Sequence, residues 1–82
     1  MLILKPNCEC CDVDLDPSAN GAFICSFECT FCAACASGRL GRTCPNCQGA
    51  LEPRPTRAAA LLAKFPAAAD RAPRAKACAD PA

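Results

Sequence analysis

Cys25-Ser26-Phe27-Glu28-Cys29-Thr30-Phe31-Cys32-Ala33-Ala34-Cys35 places four cysteines in eleven residues. Cys8-Glu9-Cys10-Cys11 comes before it and Cys44-Pro45-Asn46-Cys47 after it. Read as couples, these are Cys8-x2-Cys11, Cys25-x3-Cys29, Cys32-x2-Cys35 and Cys44-x2-Cys47. A Cys-x-x-Cys turn lets two sulfurs point at one ion about 2.3 Å away, and zinc takes four ligands in a tetrahedron. Two such knuckles make one site, and four make two. Thiolates are soft donors, and all-sulfur tetrahedra suit zinc. The expected ligands are Cys8, Cys11, Cys25, Cys29, Cys32, Cys35, Cys44 and Cys47, holding two zinc ions.

The rest of the composition says why the chain needs them. It has 82 residues, of which 10 are cysteine, and its 52% hydrophobic content is mostly alanine and cysteine. Only fifteen large apolar residues remain, twelve of them before residue 53. A chain this small with so little to bury needs cross-links or metal. That excludes a large single-core enzyme, a multidomain protein and a dinucleotide fold. Between disulfide and metal, the start decides. Met1-Leu2-Ile3-Leu4 gives way at once to Lys5-Pro6-Asn7, without the apolar run of an export signal. The longest apolar stretch, 58–63, is too short to cross a bilayer. The expectation is a cytoplasmic chain with no membrane association. In reducing cytosol, paired cysteines serve metal rather than disulfides.

Composition divides the chain at residue 52. Residues 1–52 hold nine of the ten cysteines and read as a zinc-binding domain. Residues 53–82 are rich in alanine, proline and arginine and read as a mostly disordered tail. One short helix is expected there, from about Thr56, as its cap, to Phe65, with Pro66 ending it. Charge divides in the same place. Residues 1–52 carry three basic and six acidic side chains, a net −3, and residues 53–82 carry six and two, a net +4. Eight thiolates on two zinc ions make the front half more negative still. That argues against its gripping a phosphate backbone, which requires lysine and arginine. Weak contact through the basic tail is the residual nucleic-acid reading.

Spacing alone leaves open which couple joins which. The order resembles the RING finger, with Cys29 standing where RING fingers usually have histidine. That resemblance implies a cross-brace, the first couple joining the third and the second the fourth. Site one would then be Cys8, Cys11, Cys32 and Cys35, and site two Cys25, Cys29, Cys44 and Cys47. The fold expected is a small metal-stabilised domain with few regular elements, a short hairpin and a short helix. Asn20-Gly21 is a turn signal before a strand at Ala22-Phe23-Ile24-Cys25. Residues 32–40 suit a helical turn or two, ended by Gly41. Phe23, Ile24, Phe27, Phe31, Leu40 and Leu51 are the expected core.

Two cysteines are left over. Cys10 lies inside the first knuckle, where it could replace Cys8 or Cys11 as ligand, and otherwise reads as a spare thiol. Cys78, far along the tail, reads as incidental. A ferredoxin-like alternative built on Cys29-x2-Cys32-x2-Cys35 and Cys44-Pro45 has a gap of the wrong length before Cys44 and leaves four cysteines without a role.

Pro6-Asn7-Cys8-Glu9-Cys10-Cys11-Asp12, Ile24-Cys25-Ser26-Phe27-Glu28-Cys29-Thr30-Phe31-Cys32 and Cys44-Pro45-Asn46-Cys47 together resemble the small bacterial cysteine-rich proteins grouped as domain of unknown function 1272. The likeness covers about residues 1–52 and implies a bacterial, cytosolic zinc protein.

No catalytic constellation accompanies the cysteines, and the chain is read as not an enzyme. It has no histidine for general acid–base work and no phosphate-binding glycine loop. A catalytic zinc keeps an open position, which eight cysteines for two ions do not leave. Compared with RING ubiquitin ligases, it has Cys10 where an apolar residue is usual, no tryptophan, and Gln48 after the last cysteine. The reading that remains is a monomeric structural zinc module that binds another protein. Zinc storage or thiol redox sensing is the alternative.

Overall fold

The computed structural model describes residues 2–75 and 78. Three strands carry its only sheet among those residues. They are β1 (Ala22–Ile24), β2 (Thr30–Cys32) and β3 (Glu52–Pro53), in the order β2-β1-β3. All neighbours are antiparallel. Phe23 faces Phe31 across one side of β1 and Pro53 across the other. A π-helical turn, Cys35–Arg39, follows β2, and a four-residue α-helix, Ala59–Leu62, lies beyond β3. The architecture is therefore small, with few regular elements, a short hairpin sheet and short helices. No helix among the described residues is long and apolar enough to cross a membrane.

Each strand pairing also closes a cysteine loop. β1 and β2 pair Ile24 with Thr30, which leaves Cys25–Cys29 at the hairpin tip. An isolated bridge between Asn7 and Asp14 brackets Cys8–Cys11, and another between Thr43 and Ala50 brackets Cys44–Cys47. The turn after β2 begins as expected and ends at Gly41, whose φ of 56° lies in the left-handed region that glycine adopts freely.

The core is narrow. Phe31 and Leu51 are its largest side chains, both with no exposed surface, and Leu4, Ala22, Ala36 and several cysteines join them. Phe23 and Leu40 pack against it from the side. Phe27, expected inside, is 75% exposed. It sits at the apex of the Cys25–Cys29 loop, where its N–H donates to Cys25 Sγ. A tip residue held by its own backbone in this way has no core to point into. Phe31, four residues on, lies in β2 and takes the interior place.

The expected helix from Thr56 to Phe65 shortens to Ala59–Leu62. Its N-cap is Ala58, with no side-chain cap. The backbone N–H of Arg57 bonds Pro17 O, so a tertiary contact fixes the chain just before the helix begins. Residues 53–75 do not merely trail from the front half. Arg54 is 5% exposed, its N–H bonds Ala22 O, and its guanidinium bonds Lys5 O. Arg57 donates to Leu2 O, and the Ala68 N–H to Leu4 O. The expectation of a tail with nothing to bury counted large apolar side chains. These contacts are made instead by backbone groups and arginines.

Candidate metal centre

Three of the knuckles share one backbone plan. Cys8 N–H bonds Val13 O and Asp12 N–H bonds Cys8 O; Cys44 N–H bonds Gly49 O and Gln48 N–H bonds Cys44 O. In the hairpin tip, Glu28 N–H bonds Cys25 O and Cys25 N–H bonds Cys29 O. Each loop turns through one left-handed residue, Asp12, Glu28 or Gln48, with φ between 65° and 68°. In each, the N–H two residues beyond the first cysteine points at its sulfur. Cys10 N donates to Cys8 Sγ (3.3 Å), Phe27 N to Cys25 Sγ (3.3 Å) and Asn46 N to Cys44 Sγ (3.4 Å). Such donors favour a thiolate over a thiol. The fourth couple is built differently. Cys32 ends β2 and Cys35 opens the π-helical turn.

Folding then joins couples that are distant in sequence. The Sγ atoms of Cys8, Cys11, Cys32 and Cys35 all lie within 4.8 Å of one another. Cys11 Sγ and Cys32 Sγ are 3.7 Å apart. Zinc–sulfur bonds of about 2.3 Å in a tetrahedron set sulfurs about 3.8 Å apart. A second group brings together Cys25, Cys44 and Cys47, again within 4.8 Å. Cys29 stands outside that mutual group, although its backbone closes the same hairpin tip, its carbonyl accepting from Cys25 N–H. The first couple thus meets the third, and the second meets the fourth. The two clusters interleave along the chain and could each hold a metal ion.

The electrostatics of the sulfurs fit a cation. Burial pushes the Cys8 thiol up, but backbone N–H groups of Cys11, Cys32 and Cys10 outweigh it and leave it lowered to about 7. Its neighbours go the other way. Burial, then the adjacent thiols Cys32, Cys11 and Cys8, push Cys35 well above the ordinary thiol range. Burial also raises Cys32. The second cluster repeats the contrast. Cys25 is lowered, since backbone donors from Phe27 and Cys29 outweigh its burial, while burial pushes Cys44 up to about 12. One thiolate per cluster is easily formed, and further negative charge is opposed by burial and by the first. A divalent cation removes that opposition, and ligand deprotonation accompanies its binding.

Glu9 was not singled out by the spacing, yet it docks the first knuckle onto β2. Only 6% exposed, it accepts from Thr30 N–H (2.6 Å) and Lys5 Nζ (3.0 Å) through Oε2, and its own N–H bonds Thr30 O (2.9 Å). Thr30 stands two residues before Cys32, so this clasp sets the first couple against the third. The one sequence signal was an acidic residue lodged between candidate thiolates, where its charge calls for compensation.

Cys10 and Cys78 require a correction. Cys10 is neither a ligand nor a spare thiol, and Cys78 is not incidental. They form a disulfide across 68 residues of sequence, both buried. Cys10 lies between two residues of the first cluster but joins the tail instead.

The family described as "Protein of unknown function (DUF1272)" matches residues 1–57, and the chain belongs to it. The chain is also 57% identical, over 79 residues, to an uncharacterized protein of Rhizobium meliloti (strain 1021). That likeness covers 96% of this chain and 94% of the relative, so it extends beyond residue 57 into the tail. No solved structure matches.

Proposed function

We propose that this member of the DUF1272 family is a structural zinc module that presents a metal-stapled surface to another protein. Two zinc ions would occupy the interleaved clusters in a RING-like cross-brace. One would sit on Cys8, Cys11, Cys32 and Cys35, the other on Cys25, Cys29, Cys44 and Cys47. The observation that carries this reading is the first cluster. Four sulfurs from two segments distant in sequence gather within 4.8 Å of one another, and the backbone N–H groups around Cys8 already favour a thiolate. Cys29, at the foot of the same hairpin tip as Cys25, would supply the fourth ligand beside the three sulfurs already gathered.

A full set of four thiolates leaves zinc no open position for substrate, which supports a binding role over catalysis. Structural zinc in finger peptides contributes roughly 10–16 kcal/mol per site, a large term beside a core whose largest members are Phe31 and Leu51. The place of action proposed is the cytoplasm, with the chain as a monomer and a protein as its partner.

Elemental analysis of the purified chain tests the metal. Two zinc equivalents and no iron are expected, and a coloured iron protein would end the zinc reading. Titration with a graded series of chelators then separates a structural role from storage. Structural sites hold zinc against all but the strongest competitors, whereas storage sites exchange it readily.

A further inference from the structure

The disulfide does not stand alone in joining the tail to the first knuckle. Ala72 exchanges two hydrogen bonds with the Asn7 side chain, at 2.7 and 3.0 Å. Arg74 Nε donates to Cys10 O (2.7 Å), and Ala75 N–H to Glu9 O. Arg71 pairs with Asp12 and Asp14 on the far side of the knuckle. Every one of these contacts falls on residues 7–14, and none on the second cluster. The ion pairs are exposed on both partners and hold weakly. Among the described side chains of this stretch, only those of Ala75 and Cys78 are buried, and Ala75 has a single methyl to contribute. The Cys10–Cys78 bond is therefore the principal fastening of this segment, and it is anchored between two residues of the first cluster.

We propose that Cys10 and Cys78 form a reversible thiol–disulfide site that latches the tail over the first cluster and governs how fast that cluster releases its metal. The co-reactant is a low-molecular-weight thiol. Its thiolate attacks one protein sulfur, the Cys10–Cys78 bond breaks, and the other cysteine leaves as a thiolate that takes up a proton. A second thiol then attacks the mixed disulfide. The protein ends with two thiols and the co-reactant as its disulfide, two electrons having passed to the protein. Oxidation runs the same steps backwards. Reduction frees residues 68–75, and the first knuckle loses the Ala75 N–H and Arg74 Nε donors at Glu9 O and Cys10 O that hold its backbone. Groups around metal ligands of this kind alter affinity by roughly 10–100-fold. The second cluster, to which none of these contacts of Arg71–Ala75 runs, keeps its metal at an unchanged rate.

The metal part of this proposal rests on the zinc reading above, so the test uses readouts of both kinds. Full-length protein is equilibrated in thiol–disulfide buffers of graded ratio, and alkylation with mass analysis counts the Cys10–Cys78 bond. Trypsin cutting at Arg71 and Arg74 reports the tail, and a zinc-sensitive chelator dye follows metal release. Reduction is expected to speed tryptic cutting at both arginines. It is also expected to release one of two zinc equivalents roughly tenfold faster. Cys78→Ser, altered only in the tail, should behave as reduced protein in every buffer. Equal cutting and equal release in oxidised and reduced protein would overturn the latch, as would failure of the bond to form in any buffer. Were the chain to carry no zinc, the function proposed above would fall, while alkylation and trypsin would still decide whether the tail is latched.

Discussion

Glu9 is the side chain whose loss is most informative. Its Oε2 is the partner of the buried Thr30 N–H, and a buried donor left without an acceptor costs about 1–3 kcal/mol. Glu9→Ala should lower the melting temperature of the metal-loaded protein and speed metal loss from the first cluster while sparing the second. Amide hydrogen exchange at Thr30 checks the cause directly, since that proton should lose protection first. Phe27 illustrates the opposite case. Its sequence neighbours argued for a core aromatic, but its place on a loop apex sends it into solvent. Which phenylalanine of the Phe27 and Phe31 couple is buried depends on where the hairpin turns, and that is set by the position of the two knuckle cysteines. Seven of the eight cysteines expected as ligands gather in two clusters that could hold metal, and their couples were legible from spacing because a knuckle is a local turn whose geometry a few residues settle.

Among the short elements, the knuckle loops carry the strain. Gln48 and Asp12 occupy equivalent left-handed positions just after the second cysteine of their couples. For a residue with a Cβ this conformation costs roughly 1–2 kcal/mol, and more where the side chain is branched there. Gln48 already bears that cost, so Gln48→Val should destabilise the Cys44–Cys47 loop further by the added penalty of β-branching, whereas Gln48→Gly should relieve it and be tolerated. Thermal melts of the two zinc-loaded variants, compared with the parent, make the measurement. The strand after Asn20-Gly21 and the helical turn ended by Gly41 were readable, whereas the hairpin itself turns at Cys25–Cys29 and returns along Thr30–Cys32, which the turn signal at Asn20-Gly21 did not indicate. The helix in the tail was overestimated because helical pattern carries no information about Pro17, whose carbonyl holds Arg57.

Over the whole chain, interleaving makes the two clusters one cooperative unit. Cys11→Ala should shift the amide resonances of Cys32–Cys35, since those residues share its cluster, more than those of Cys25–Cys29. The reverse pattern would mean that neighbouring couples, not alternate ones, share an ion. The tail adds a second long-range tie. A bond closing a loop of this size stabilises by roughly 2–4 kcal/mol, and it spans residues 10 to 78. Ending the chain after Arg57 should thus lower the melting temperature measured in oxidising buffer, and most of that loss should vanish when the comparison is made with reductant present.

The four cysteine couples and the small size of the core follow from local spacing and composition, because each depends on residues a few positions apart. The interleaved pairing of the clusters did not follow from spacing, which allows adjacent couples to share an ion equally well; the fold brings Cys11 to Cys32 through the Glu9–Thr30 clasp. The same holds for Cys10 and Cys78. Neither has a partner within its own segment, and compartment arguments set disulfides aside. Their meeting depends on the path of residues 53–75 back across Leu4, Asn7 and Glu9. That path is held by backbone carbonyls and arginines, groups present all along any chain, so composition could not reveal it.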